Sequence, residues 1–364
     1  MRERWEYKKI GDIATVVSGS TPQTSVEEFW GKGHYWVTPA ELDDKTVYVS
    51  KTERQITDAA LAKVKLQRLP KGTVLLSSRA PIGKVAICDV DMYCNQGFKN
   101  CICSDLVYNK YLFYFLKDKK EYLNSLGRGA TFKEISKGIV EKVVVPLPPK
   151  PTQLSIVSEL DKLNELIQIK KEQLKDYDAL AQSIFYEMFG DPVVNEKGWE
   201  VKKFGDLFKL KSGDGLSSKD FKTGIYPVYG GNGISGYHNS FNMKGCYIII
   251  GRVGVYCGNV RKVDGEFWLT DNAFRLIYKE KEQNPFFILY LLNILDLHQY
   301  ANAAAQPVIS NLTLKSINVP LPPLSLQQSF AHKIEQIERQ KGEVQKTITD
   351  LESLLAARMQ YWFD

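Results

Sequence analysis

Two long segments, 152–189 and 324–363, carry apolar residues at alternating steps of four and three. The pattern is interrupted once in each segment, by Lys170 in the first and by Lys341 in the second. A repeat that averages 3.5 residues makes a narrow apolar seam, which is typical of a coiled coil. The apolar seam positions are Ile156, Leu160, Leu163, Ile167, Leu174, Tyr177, Ala181, Ile184 and Met188, then Ile334, Ile337, Val344, Ile348, Leu351 and Leu355.

These patterns predict two long helices that pair with each other, each roughly 50 Å long at a rise of 1.5 Å per residue. Such a pair would form a rigid spacer between globular domains. The charged seam positions would then select one register or contact further partner helices. The alternative is two unrelated surface helices that happen to share a length and charged flanks.

The chain also repeats itself around these helices. The sequence Val145–Pro149 precedes the first helix, and the identical sequence Val319–Pro323 precedes the second. The opening Trp5–Asp12 returns with few changes as Trp199–Asp206. The ends of the two halves match while their middles differ in length, which predicts two domains of one fold with different loops. We predict domains at 1–150 and 191–323, with helical spacers at 151–190 and 324–364.

Short β-branched and aromatic runs, broken by Gly, Asn and Asp, dominate the middle of each half and predict short strands. The apolar stretches 111–116 and 286–292 each predict one core helix. The predicted fold class is α+β: two similar mixed α/β domains separated by two long antiparallel coiled-coil helices, with a pseudo-two-fold internal repeat.

Composition limits the compartment and the chemistry. The 364 residues are 44% hydrophobic and 25% charged, which describes a folded protein, and the net charge of +6 permits nucleic-acid binding without proving it. No apolar run is long enough to cross a bilayer and the N-terminus lacks signal-peptide features, so we expect a cytoplasmic protein without membrane contact. The six Cys form no C-x-x-C pair, which predicts reduced, buried thiols and no metal site.

Enzymatic motifs are incomplete. Asn284–Phe287 is similar to the N-P-P-[FY] motif of adenine methyltransferases but lacks the second proline, so it is better interpreted as the start of a core helix. The E-x-K triplets at Glu6 and Glu200 lie in the opening strand of each repeat. Only Asp191–Pro192 precedes one of them, with proline and aspartate in reversed order for a nuclease motif, so a structural use is the better interpretation. No phosphate-binding G-x-x-x-x-G-K-[ST] loop is present. We predict a chain without catalytic residues.

Several motifs together resemble the DNA specificity subunit of type I restriction-modification systems. They are the duplicated W-E-x-K-K opening, the Asn95–Lys99 segment, the Val-Pro-Leu-Pro-Pro motif followed by Gln153 or Gln327, and the helix end at 185–192. One departure is that the second half has Pro307–Ser310 where the first has Phe132–Ser136.

The resemblance implies a mechanism. Each globule would be a target-recognition domain that reads one half of a bipartite, asymmetric site in double-stranded DNA. The paired helices would set the unread gap and dock two methyltransferase subunits, and two restriction/translocase subunits would complete the complex. S-adenosylmethionine, ATP and Mg²⁺ are expected on those partner subunits, and no cofactor is expected on this chain.

Base reading requires Arg, Lys, Asn and Gln side chains on loops that can approach DNA closely. Arg79 and Arg252 recur at places that match in sequence, so we predict that they hold the DNA backbone, while residues that differ between the halves carry specificity. The alternative for every candidate is a solvated surface charge or a turn-stabilising amide. The candidates are Arg79, Lys84, Asn95, Gln96, Lys99, Arg128, Thr131 and Lys133 in the first half, and Asn232, Arg252, Asn259, Arg261, Asn272, Arg275 and Gln306 in the second.

Two other function classes stay open at this point. A standalone enzyme that modifies or cuts DNA would show cofactor turnover by the purified chain. A pure coiled-coil scaffold would lack salt-dependent, sequence-selective DNA binding.

Overall fold

The computed structural model describes residues 5–79, 81–129, 133–279, 283–302 and 307–364. The chain divides into two compact units. Unit 1 comprises Met1–Ile169 and Thr347–Asp364, and unit 2 comprises Lys170–Lys346. Each unit therefore contains one globule together with a part of both long helices. The four-segment division made from the sequence stays a prediction.

Unit 1 is built from short strands and helices that precede a 40-residue helix, α6. Its elements are β1 (Glu6–Lys9), α1 (Ile10–Ile13), β2 (Ala14–Ser18), β3 (Trp30–Val37), β4 (Tyr48–Val49), β5 (Gln55–Ile56), α2 (Asp58–Lys63), β6 (Val74–Leu76), β7 (Val85–Cys88), β8 (Tyr93–Cys94), β9 (Lys99–Cys103), α3 (Asn109–Asp118), α4 (Lys120–Ser125), α5 (Lys137–Glu141), β10 (Val144–Leu147) and α6 (Lys150–Phe189).

Unit 2 follows the same order with a different middle. Its elements are β11 (Glu200–Lys203), α7 (Phe204–Leu207), β12 (Phe208–Ser212), β13 (Tyr226–Gly230), β14 (Gly233–His238), β15 (Met243–Lys244), β16 (Tyr247–Gly251), β17 (Val260–Val263), β18 (Glu266–Leu269), β19 (Ala273–Tyr278), α8 (Pro285–Ile294), α9 (Asn311–Leu314), β20 (Asn318–Leu321) and α10 (Leu324–Phe363).

The sheets confirm the predicted repeat. In each unit the opening strand pairs antiparallel with the proline-containing strand, β1 with β10 and β11 with β20. The main sheet has the order β2-β9-β6-β7-β4 in unit 1 and β12-β19-β16-β17 in unit 2. The first four strands correspond one to one, and β4 is an addition in unit 1. Helices α3 and α8 pack against corresponding strands and contain the two apolar stretches that predicted core helices.

Gly19 and Gly213, which match between the two halves, lie in close contact with the backbone of another segment of the same unit. A Cβ atom on Gly19 would lie 2.0 Å from the carbonyl oxygen of Asn95. A Cβ atom on Gly213 would lie 2.1 Å from the carbonyl oxygen of Leu269. No other residue type fits at these two positions without moving the backbone.

The long helices confirm the predicted seam. All the predicted seam positions are buried or half-buried, and the helices begin and end within two residues of the predicted segments. In unit 2, Phe185 packs edge-on against Phe330, and Lys341 bonds Asp178 at 2.7 Å. Residue numbers thus rise along α6 as they fall along α10, so the pairing is antiparallel. None of the described helices is long and apolar enough to cross a membrane.

Each unit buries the start of one long helix and the end of the other. In unit 1, Ile156 and Leu160 from the start of α6 share a core with Met359 and Phe363 from the end of α10. Phe363 contacts the ring of Tyr111 on α3, with centroids 5.4 Å apart. In unit 2, the start of α10 and the end of α6 share the other main core in the same way.

Two buried glutamines attach the helix starts to the globules. Gln153 Oε1 accepts a hydrogen bond from the Tyr108 N–H at 2.8 Å, and its Nε2 donates to the carbonyls of Leu106 and Pro148. Gln327 Oε1 accepts from the Asn284 N–H at 3.1 Å, and its Nε2 donates to the carbonyl of Pro322. The side chains fill the same role in both units, because each bonds the residue that precedes the core helix.

Two sequence-based interpretations are settled by local structure. Asn284 is the N-cap of α8, and its side chain accepts from the N–H groups of Phe286 and Phe287, which confirms a structural use of the Asn-Pro pair. The expectation of uniformly buried thiols is wrong for Cys246, which is exposed, and for Cys103, which is half-buried. The other four thiols are buried and free.

We predict that Gln153→Leu destabilises the chain by about 1–3 kcal/mol, because the buried N–H and C=O groups that the amide satisfies lose their partners. The measurement is chemical denaturation followed by circular dichroism. Gln327→Leu should give a loss of similar size from the other unit. Gln168→Leu, at an exposed position of the same helix, is the matched control, and an equal loss there would contradict the argument.

Candidate nucleic-acid interface

Hydrogen bonds in the two main sheets set which residues correspond, and they correct one pairing made from the sequence. The Ile135 N–H donates to the carbonyl of Ser78, and the Ile309 N–H donates to the carbonyl of Arg252. Arg252 therefore corresponds to Ser78 and not to Arg79. Counted between residues that pair across the strands, the loop between β16 and β17 is one residue longer than the loop between β6 and β7. Matching by residue type did not place this difference within the loop, and so paired Arg79 with Arg252.

The structural counterpart of Arg79 is Val253. Arg79 forms a backbone bridge with Glu134, and Val253 forms the corresponding bridge with Val308. A charged pair in unit 1 thus occupies the place of an apolar pair in unit 2. Arg79 and Arg252 are therefore not equivalent, and their equivalence no longer supports the prediction that both hold the DNA backbone.

Three of the candidates in unit 1 meet at Glu134. Its carboxylate accepts hydrogen bonds from Arg79 Nε at 2.9 Å and from Lys99 Nζ at 3.2 Å. Arg128 pairs with Glu134 through two backbone hydrogen bonds. Burial alone would raise the pKa of Glu134, but the hydrogen bonds and charges of Arg79 and Lys99 hold it below its ordinary value. The carboxylate is therefore ionised at neutral pH and neutralises part of the local positive charge.

These candidates differ in how exposed their side chains are. Lys99 is 7% exposed, and its ammonium also lies 3.4 Å from the Ser78 hydroxyl. Lys99 is therefore a buried partner of the Glu134 carboxylate. Arg128 and Lys133 are exposed. Arg128 lines a basic cleft together with Lys137 and Lys142, while Lys99 and Glu134 also line it. We call this the unit 1 cleft.

The remaining candidates of unit 1 are placed differently. Lys84 is half-buried, and its ammonium donates to the carbonyls of Pro39 at 2.9 Å and Leu42, so it holds a loop of its own domain. Asn95 accepts from the Gly97 N–H at 2.9 Å and stabilises a turn. Gln96 is exposed and accepts a hydrogen bond from the Thr21 hydroxyl. Thr131 lies outside the described residues.

In unit 2, Asn232 and Asn272 line one cleft, which also contains Gly231 and Val253. Both asparagines are exposed. Arg252 lies beside them, because its N–H donates to the carbonyl of Asn272 at 2.9 Å. We call this the unit 2 cleft. The structure therefore brings together candidates that lie far apart in the sequence.

The other candidates of unit 2 lie on strands or beside them. Arg261 on β17 donates to the carbonyl of Asn232 at 3.4 Å, which connects it to the unit 2 cleft. Arg275 on β19 is half-buried and contacts the sulfur of Met243. Asn259 is exposed at the residue before β17. Gln306 lies outside the described residues.

Sequence reasoning missed Glu134, Lys137 and Lys142. The only available signal for Glu134 was that the matching position of the second half is Val308, an acid-to-apolar difference within otherwise similar segments. The two lysines carried no signal, since lysine is common at the surface and these two begin and follow a short helix, α5. No group of three His, Cys, Asp or Glu side chains that could hold a metal ion occurs within the described ranges.

Two copies of one fold, with exposed polar and basic side chains on loops that differ between the copies, define a duplicated recognition protein. A family model described as the type I restriction modification DNA specificity domain matches residues 2–176 and 196–352. The chain belongs to this family and is a type I specificity subunit, the class of subunit whose role is DNA sequence recognition and not catalysis. The predicted resemblance is confirmed.

Curated relatives and solved structures agree with this assignment. The chain is 39% identical over 234 residues to the MjaIX specificity subunit of Methanocaldococcus jannaschii, with 59% of the chain and 54% of that relative covered. It spans about half the length of that relative. It is 25% identical over 381 residues to the EcoprrI specificity subunit of Escherichia coli, with 95% and 93% covered.

The fold is similar to that of the type I restriction-modification S subunit from M. genitalium, with a TM-score of 0.56, 18% identity, and 99% and 96% of the two chains covered. A structure from work on complex assembly and conformational transition of the type I system gives a TM-score of 0.64, with 18% identity and 98% and 96% covered. At this identity the likeness shows the fold alone.

We predict that Lys99→Met and Arg128→Ala act on different properties. Lys99→Met should lower the free energy of unfolding by about 1–3 kcal/mol, since Glu134 loses a charged hydrogen-bond partner in a partly buried site. Arg128→Ala should leave stability unchanged and weaken duplex DNA binding by about 1–3 kcal/mol. Denaturation curves and fluorescence anisotropy on a labelled duplex at fixed salt measure the two effects. An Arg128→Ala variant with unchanged affinity would remove this residue from the interface.

Proposed function

We propose that each unit reads one half of a bipartite, asymmetric DNA site and that the paired helices set the gap between the halves. The observation that carries this proposal is the shared backbone with unlike surface chemistry. The unit 1 cleft combines lysines and an arginine with an acid, whereas the unit 2 cleft presents asparagines beside Arg252. Two copies of one fold with different hydrogen-bonding groups are suited to two different base sequences.

The long helices suit a measuring role. Helices α6 and α10 are each 40 residues long, and each contributes to both units. The rise per residue of an α-helix is constant, so the number of residues in a helix sets the distance between its ends. Dimer geometry sets half-site spacing in other DNA readers by the same principle.

We further propose that exposed faces of these helices dock two methyltransferase subunits, and that two restriction/translocase subunits join the complex in the cytoplasm. S-adenosylmethionine, ATP and Mg²⁺ would bind those partners. The charged outer positions of the helices, such as Lys162, Glu165 and Glu172, are available for such contacts because they lie away from the seam and are exposed.

Co-expression with a cognate methyltransferase subunit followed by mapping of N6-methyladenine in the host DNA tests the reading of two half-sites. We expect one methylated motif with two specified parts and an unspecified gap of constant length. Methylation at a continuous motif would contradict reading by both units. Substituting Asn232 or Asn272 should alter only one part of the motif.

Inserting one heptad into each long helix, after Ile169 and after Lys346, tests the measuring role. Seven residues lengthen a helix by about 10 Å, which corresponds to about three base pairs of DNA. A whole heptad keeps the apolar seam in register. We expect the gap in the methylated motif to grow by about that amount while both parts stay unchanged. Insertion into one helix only is the control and should abolish methylation, and a constant gap after the double insertion would exclude the helices as the ruler.

A further inference from the structure

In unit 1 the added strand β4 extends the main sheet beyond β7, and the described part of unit 2 has no corresponding strand beside β17. β4 pairs parallel with β7, and the Ile87 N–H donates to the carbonyl of Val47 at 2.8 Å. The segment before β4 crosses α3, where Lys117 Nζ donates to the carbonyl of Asp44 at 3.0 Å. Unit 1 thus closes the edge of its main sheet with its own chain.

Phe113 and Tyr114 on α3 are buried, at 0% and 3% exposed, and Val47 packs against the core that contains both. Asp44 also bonds the ammonium of Lys120 at 3.0 Å. The covering segment therefore combines acidic residues at its start with Val47, Tyr48 and Val49 at its end.

In unit 2 the corresponding edge strand, β17, pairs only with β16 among the strands of the described ranges. The residues of α8 that match Phe113 and Tyr114 are Leu289 and Tyr290, and both are half-buried. They line a groove with Lys262 and Phe286. We call this the unit 2 groove.

The backbone of β17 is oriented for a further strand. The Val260 N–H and C=O are bonded by the side chain of Asn293, at 3.4 and 3.3 Å, so they point away from β16. Backbone groups alternate in direction along a strand, so those of Lys262, two residues later, point the same way. Lys262 corresponds to Ile87, the residue whose N–H meets the added strand in unit 1.

The unit 2 groove differs in charge from the corresponding place in unit 1, where β4 lies. Lys262 stands where unit 1 has the buried Ile87, and its ammonium lies 4.8 Å from the ring centre of Phe286. The other ammonium of the groove, on Lys341, is already neutralised by Asp178 and Glu338. A segment that covers the groove would therefore gain from an acidic residue opposite Lys262.

We propose that the unit 2 groove binds an extended segment of a partner protein, paired parallel to β17, with an acidic residue at Lys262 and apolar or aromatic residues over Leu289 and Tyr290. The segment would take the place that β4 takes in unit 1, where Tyr48 lies opposite Ile87, and it would carry its acidic residue at the position of Tyr48. Strand addition of this kind gains affinity from main-chain hydrogen bonds and specificity from side-chain pockets.

The same lysine disfavours a second copy of this chain as the occupant. Two β17 edges that met about a two-fold axis would bring two unneutralised Lys262 side chains together, and like charges placed opposite each other on strands are destabilising. A lysine on an exposed edge strand is a common protection against self-pairing. The partner is therefore a different, acid-bearing segment.

The test uses the full chain and, as the probe, a fluorescein-labelled peptide of residues Leu42–Ser50 that carries Tyr48→Glu, which places a carboxylate opposite Lys262. We expect saturable binding by anisotropy, together with slower hydrogen exchange of the Lys262 amide. Lys262→Glu should weaken binding about tenfold, and a peptide carrying Tyr48→Lys should restore binding to that variant. Leu289→Lys should also weaken binding. The matched control is Ile225→Lys, which changes an 80% exposed residue of the same unit.

Several outcomes would overturn the proposal. These are no saturable binding by the unaltered chain, an equal loss in the Ile225→Lys control, or no rescue of Lys262→Glu by the charge-reversed peptide. Displacement of the peptide by duplex DNA of unrelated sequence would identify the groove as a nucleic-acid surface instead. Protection of the Lys262 amide that depends on chain concentration without peptide would identify a second copy as the occupant.

Discussion

The attachment of each long helix to its globule by a buried glutamine is the contact on which the rest of the structure depends. Gln153 and Gln327 are 1% and 0% exposed, and each bonds the carbonyl of the proline that precedes its helix by two residues and the backbone N–H of the residue that precedes the core helix. A buried amide is tolerated only when its hydrogen-bonding groups have partners. The direction of each helix is therefore coupled to the position of the core helix that it meets.

The ends of the long helices complete the main core in the same way in both units. Each globule needs the start of one long helix and the end of the other to complete its core, as the burial of Phe363 in unit 1 and of Phe189 in unit 2 shows. Neither helix belongs to a single unit. Each long helix thus contributes apolar residues to both main cores.

The two units share a backbone and differ in the chemistry placed on it. The bridge that joins Arg79 to Glu134 in unit 1 joins Val253 to Val308 in unit 2, and Ser78 corresponds to Arg252. Substitutions of this kind change charge while the surrounding hydrogen bonds stay constant. The two units also differ at the edge of the main sheet, where β4 pairs with β7 in unit 1 and no described strand of unit 2 takes the corresponding place beside β17. The two units thus differ both at the candidate DNA clefts and at the edge of the main sheet.

The sequence alone determined the helices, the repeat, the fold class and the family, because these depend on local periodicity and on motifs that are read along the chain. The apolar seam appears directly as a 3.5-residue pattern, and the identical Val-Pro-Leu-Pro-Pro segments mark equivalent junctions without any knowledge of distance. Tertiary structure alone decided which candidate residues share a site. The burial of Lys99 beneath Glu134, the structural use of Lys84 and the correspondence of Arg252 with Ser78 all arise from contacts between residues far apart in sequence. Such contacts are set by strand pairing and loop length, and residue type along the chain does not record them.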